Sequence, residues 1–218
     1  MDDRTGSGER GPREYSAKKF IACVVGLLLV GTGTWFALTT GLERLPSKVC
    51  DGAVERDLVI RTLPRTRTAE EGAERRREGA DLRFSCHVYT SADSILSGVA
   101  RVDDASPQTW FSHYAGSSDR RTVRASSGGI EALAEIHGDR VSSSVYVPCT
   151  PRGVRADADQ SYAVVAEAYV IGKARISGTE LGQALTDFAY RLSEHAYRLA
   201  ECDKPRDFPD ELPRYEDR

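Results

Sequence analysis

The feature that most constrains this chain is the run Phe20–Leu38, FIACVVGLLLVGTGTWFAL, which carries no charge. As a helix it rises roughly 28 Å, against a hydrocarbon thickness of about 30 Å. A soluble helix of this length ordinarily keeps a polar face, and this one has none. The run therefore predicts a transmembrane helix over 20–38 in contact with membrane lipid, with Trp35 and Phe36 near its outer end. Arg10, Arg13, Lys18 and Lys19 precede it, whereas only Arg44 and Lys48 follow closely. That bias predicts a cytoplasmic N-terminus, a single pass through the plasma membrane and an extracellular C-terminal domain. No small-x-small cleavage site follows Leu38, which favours an uncleaved signal anchor over a signal peptide. Cys23 opens the apolar run instead of closing it and so does not fit a lipid-accepting position.

Four cysteines lie beyond the run: Cys50, Cys86, Cys149 and Cys202. An even number in that position points to an oxidising compartment and two disulfides. No two form a C-x-x-C pair, which speaks against a zinc knuckle or a thioredoxin-type redox pair. Of the three possible connectivities, Cys50–Cys86 with Cys149–Cys202 is favoured. Each of those bridges joins a helix end to a strand in the same part of the domain.

The rest of the chain divides by pattern. Residues 1–19 are polar and predict a disordered tail, and 39–49 a linker. Residues 50–205 predict one disulfide-stapled α+β domain, and 206–218, rich in proline and charge, a loose tail. Asp51 is a candidate N-cap for a helix running to about Leu63, where Pro64 ends it. Residues 68–79 are helix-prone without an apolar stripe, and Arg75-Arg76-Arg77 reads as a solvated face. Alternation over Leu82–Val88 and Ile95–Val102 predicts one hairpin; Ile130–Ile136 and Val141–Val147 predict another. Residues 103–128 read as irregular, pinned by Trp110, Phe111 and Tyr114. Tyr162–Ile171 is a long β-rich run that belongs in the middle of a sheet. The clearest helix opens on the capping box Ser177/Glu180. It carries Leu181, Ala184, Leu185, Phe188, Leu192, Ala196 and Leu199 on one face, with Cys202 continuing it. The expected architecture is an antiparallel sheet of about five strands, packed by this long helix and by the shorter one before it.

The order Val49-Cys50-Asp51-Gly52, Cys86, Gly128-Gly129, Val145-Tyr146-Val147-Pro148-Cys149 and Glu201-Cys202-Asp203 resembles a group of single-span membrane proteins from Streptomyces and related actinobacteria. The group carries no assigned activity. The resemblance covers roughly 20–205 and implies export, disulfides and the sheet-plus-helix plan, without a catalytic residue.

Chemistry-bearing motifs are scarce. His87, His113, His137 and His195 stand in no ligand spacing, and there is no nucleophile elbow, phosphate loop or S-x-x-K motif. The carboxylate pairs Glu70-Glu71 and Asp103-Asp104 lie in polar stretches. A net charge of −3 argues against a nucleic-acid binder. The sequence thus predicts no catalytic residue, metal or cofactor. It favours an envelope domain that binds another protein or an envelope component. The rivals are a small-molecule or lipid binder with a pocket between the last helix and the sheet, and an envelope hydrolase.

Overall fold

The computed structural model describes residues 17–115, 120–154 and 161–215, in two units, 1–38 and 39–218. The expected disordered tail 1–19 falls outside the described residues up to residue 16; residues 17–19 open helix α1 (Ala17–Thr39).

The single-pass expectation is not met. Among the described residues no helix is long and apolar enough to cross a membrane. Gly31-Thr32-Gly33-Thr34 dilutes the apolar run in its second half. The placement in the plasma membrane with an extracellular C-terminal domain loses the span on which it rested.

The second unit is built on a seven-stranded, wholly antiparallel sheet. Its strands are β3 (Ala69–Arg76), β4 (Arg83–Thr90), β5 (Ile95–Asp104), β6 (Arg121–Ser127), β7 (Ile130–His137), β8 (Arg140–Pro148) and β9 (Tyr162–Ile171). Their spatial order is β3-β4-β5-β9-β8-β7-β6, which puts β9 at the centre. The five-strand expectation missed both edges. The β3 sequence AEEGAERR is rich in helix formers, yet its register against β4 is continuous from Ala69↔Thr90 to Arg76↔Arg83. Tertiary pairing overrides propensity there. Its charge also blunts an exposed edge. On the other side β6 meets β7 through Gly128-Gly129, both at positive φ, the two-residue turn whose twist suits a hairpin.

A smaller sheet precedes it, β1 (Lys48–Val49) with β2 (Val54–Glu55). Asp51 does not cap a helix. Asp51-Gly52, at φ 54° and 81°, makes the turn of this hairpin, a sequence pair that matches turns with two positive φ values. Helix α2 (Arg56–Thr62) starts only after it. The stretch 103–128 is likewise not irregular throughout. Helix α3 (Pro107–Tyr114) opens on Ser106, whose hydroxyl accepts the Thr109 N–H.

Helix α4 (Gly178–Leu199) closes one face of the sheet. Leu181, Leu185, Phe188, Leu192 and Ala196 are buried, and the floor beneath them includes Gly98, Ala100, Ala166 and Ala168. Small residues on β5 and β9 let the helix approach closely. Ser177 occupies the N-cap position, but its side chain makes no capping bond.

The C-terminal segment is not a loose tail as far as residue 215; residues 216–218 lie outside the described residues. Leu212 is buried, and Phe208 packs on Tyr190 and Tyr197. Tyr190 donates to the Pro209 carbonyl and Tyr197 to the Lys204 carbonyl, each at 2.5 Å. Tyr215 reaches Thr186 at 2.7 Å, and Thr186 reaches Ser143 on β8 at 2.6 Å. Burial raises the phenols of Tyr190 and Tyr215 to about 12. This segment is tied down by apolar anchors and tyrosine hydroxyls, the condition under which a terminus becomes ordered.

Two disulfides link the parts: Cys50 to Cys86, and Cys149 to Cys202, with Cα separations of 5.4 and 5.3 Å. They fit an oxidising, extracytoplasmic compartment.

Candidate functional site

Paired residues on neighbouring antiparallel strands share a face. The face opposite α4 is divided in two. Over β7, β8 and β9 it is covered by α3. Trp110 is buried on Tyr146, with ring centroids 5.5 Å apart, and its indole N–H donates to Ser144 Oγ at 2.8 Å. Arg124 stacks over Phe111 at 4.1 Å. The end of α3 is fastened by a charged node. Arg101 donates to Glu167 at 2.5 Å, to Tyr114 at 2.9 Å and to Asp103 at 2.7 Å, and Tyr114 donates to Glu167 at 2.5 Å. Burial lowers the Arg101 value, but Glu167, Tyr114 and Asp103 outweigh that and raise it overall. Burial, with Glu167 adding, pushes the Tyr114 phenol up. Both groups keep their protons, and the node fastens the end of α3 to β5 and β9.

Beyond α3 the face is open. Tyr89, Tyr169 and Ile171 are 48 %, 39 % and 50 % exposed. One row of residues crosses the sheet here: His87, Ser97, Tyr169, Ser142 and Glu135, each the register partner of the next. Two buried atoms in this row have no hydrogen-bond partner among the described residues, Ser97 Oγ and Glu135 Oε1. Buried polar atoms are ordinarily satisfied, and these two are satisfied by no protein group among the described residues. Glu135 Oε2 accepts from Arg120 at 3.0 Å. At the end of the row a groove of about 540 Å³ runs past Tyr169, Ile171, Ser142, Glu135, His137 and Arg140. A smaller cavity of about 50 Å³ extends it from Tyr169 and Ser142 to Glu167 and Tyr114.

The residues weighed from sequence fall elsewhere or apart. The four cysteines are all consumed in bridges. Glu70 and Glu71 are strand neighbours and so point to opposite faces. Glu71 accepts the Cys50 N–H at 2.7 Å. Asp103 joins the Arg101 clamp, whereas Asp104 accepts the Ser161 N–H. Arg75 and Arg76 pair with Glu78 and Glu74 at the surface. His87 belongs to the open face; His137 lines its groove; His113 stacks edge-on against Tyr114. The row was invisible in sequence because its members come from five separate strands. Register alone brings them together. Where the rival reading puts a ligand, between α4 and the sheet, Gly98 lies directly against Phe188 and Leu192.

His195 sits on the other face, its ring 4.8 Å from Phe84. Burial holds the imidazole below its usual value, and Arg198 and Arg75 work in the same direction against Asp51 and Glu194. The unfolded chain therefore takes up this proton first as pH falls. The stabilisation is complete above about pH 6.5 and is lost as pH drops through the folded value. His195→Gln should flatten unfolding free energy against pH between about 7 and 5. An unchanged slope in denaturant titrations would count against this account.

The fold and the site together define an α+β domain whose antiparallel sheet is covered by a helix on one face and half-covered on the other. A scan against protein-family models, a search of curated proteins and a search of solved structures each find no match.

Proposed function

We propose that the domain is a non-catalytic recognition module of the cell envelope that receives its target on the open half of the sheet. The observation that carries this reading is the exposed patch of Tyr89, Tyr169 and Ile171, bordered by two buried polar atoms without partners. Large aromatic side chains at the rim of a polar groove are the usual anchors of recognition. Two disulfides keep the sheet rigid, so little order has to be gained on binding. Glu167 and Asp103 are committed to the Arg101 clamp, and Glu135 is paired with Arg120.

The test is a benzophenone amino acid placed at position 171 of the full chain in intact cells, with position 198 on the α4 side as the control. Irradiation should give discrete high-mass adducts from position 171 only. Equal labelling from both positions, or none, would remove the open face as the recognition surface.

A further inference from the structure

The chemistry of the open face narrows the target, and this step rests on the recognition reading above. We infer that the open face binds an uncharged polysaccharide chain of the envelope. Tyr89 on β4 and Tyr169 on β9 lie two strands apart and two residues out of register. Strand spacing and rise per residue put them about 12 Å from each other. They are two exposed aromatic side chains on one face of the sheet, spaced for a short run of linked sugar rings. The apolar C–H face of a hexose stacks on a tyrosine ring while its hydroxyls remain free to hydrogen-bond at the edge.

The groove beside Tyr169 supplies those bonds. Its two arginines, Arg120 and Arg140, are balanced by Glu135 and Asp139. That balance disfavours a polyanion, which needs a net basic surface. Glu135 lines the groove with one carboxylate oxygen bound to Arg120 and the other without a donor among the described residues, so the groove wall keeps acceptor capacity that a sugar hydroxyl matches. Ser142 and Arg140 offer the opposite polarity. Ser97, 1 % exposed with its hydroxyl unpartnered, sits in the row between His87 and Tyr169. An extended peptide is a poorer fit. Peptides add to sheets through free edge N–H and C=O groups, whereas β5 and β9 are interior strands paired on both sides.

The experiment uses the full chain in mild detergent, because α1 exposes apolar side chains. It is titrated calorimetrically with chitohexaose, cellohexaose, laminarihexaose and mannohexaose, with polygalacturonate as the charged comparison. Binding to deproteinised bacterial sacculi is measured alongside by co-sedimentation. Saturable binding of a neutral glycan is expected. It should weaken about ten-fold or more in Tyr169→Ala and Tyr89→Ala and be retained in Tyr169→Phe, which keeps the stacking ring. Circular dichroism of each variant establishes that the fold is intact. Binding that ignores both alanine variants, or that is confined to polygalacturonate, overturns the inference. So does failure of every neutral glycan and of sacculi. If the adduct from position 171 is then a protein, removed by protease and not by glycan hydrolases, the recognition reading stands and the polysaccharide does not. If position 171 gives no adduct either, both fall.

Discussion

Replacing Cys149 and Cys202 together by serine should lower the unfolding free energy by about 4 kcal/mol. The bridge closes a loop with a sequence separation of 53 residues, and cross-linking a loop of that length removes this much conformational freedom from the unfolded chain. More than the loop is at stake. Cys149 directly follows Pro148, the last residue of β8, and Cys202 follows the last turn of α4. Around the bridge, the Arg152 N–H donates to the Glu201 carbonyl and the Asp203 N–H to the Thr150 carbonyl. The bridge thus fixes the point from which 203–215 runs back along α4. The Cys50–Cys86 bridge, with a separation of 36, should contribute a similar amount, and the two loops do not overlap. A domain with a typical stability of about 5–15 kcal/mol would lose about half of it or more after losing both. Denaturant midpoints of the two double-serine proteins and of the four-fold variant measure this. A four-fold variant as stable as either double variant would show that the bridges do not act independently.

The parts of the fold legible in the sequence were those whose burial pattern is local. The α4 stripe from Leu181 to Ala196 and the alternation in β4, β5, β7 and β8 each follow from one face meeting a core. The edges followed a different rule. In β3 only Ala69 and Ala73 pack against the core cluster, so its alternation is nearly silent and its glutamates and arginines read as helix. Two turn signals stood in plain view beside the missed features. Gly128-Gly129 announces the β6–β7 hairpin, and Asp51-Gly52 announces β1–β2 in place of a helix cap. The expectation of a loose C-terminal segment failed because prolines and charges outnumber its anchors in sequence. Phe208, Leu212 and Tyr215 suffice once α4 presents a surface to them.

The candidate site was less legible than the fold for a geometric reason. Tyr169 is an ordinary strand residue until β5 places Ser97 beside it and β8 places Ser142 on its other side. A serine without a hydrogen-bond partner has no sequence signature at all. The histidines are on four different elements, β4, α3, β7 and α4, while Glu70-Glu71 lie together on β3 and Asp103-Asp104 together on β5.

The tightest point of the core gives the second large effect. A Cβ on Gly98 would stand 2.6 Å from Phe188 Cε1 and closer still to Leu192 Cδ1. Both are fully buried, so neither ring nor methyl has free space to move into. Gly98→Ala should therefore destabilise by about 1–3 kcal/mol through overpacking. Phe188→Ala should cost about 3–5 kcal/mol, since it deletes a buried ring at the centre of the α4–sheet contact. The two effects share one volume and should not add. Phe188→Leu in the Gly98→Ala background removes the ring atoms that the new methyl strikes and gives Leu192 room to yield. The double variant should then be more stable than the sum of its single effects by about 1 kcal/mol. Strict additivity in urea denaturation would mean that α4 shifts bodily to admit the methyl. In that event Gly98 would not set the distance between helix and sheet, and the small residues at Ala100, Ala166 and Ala168 would carry that role together.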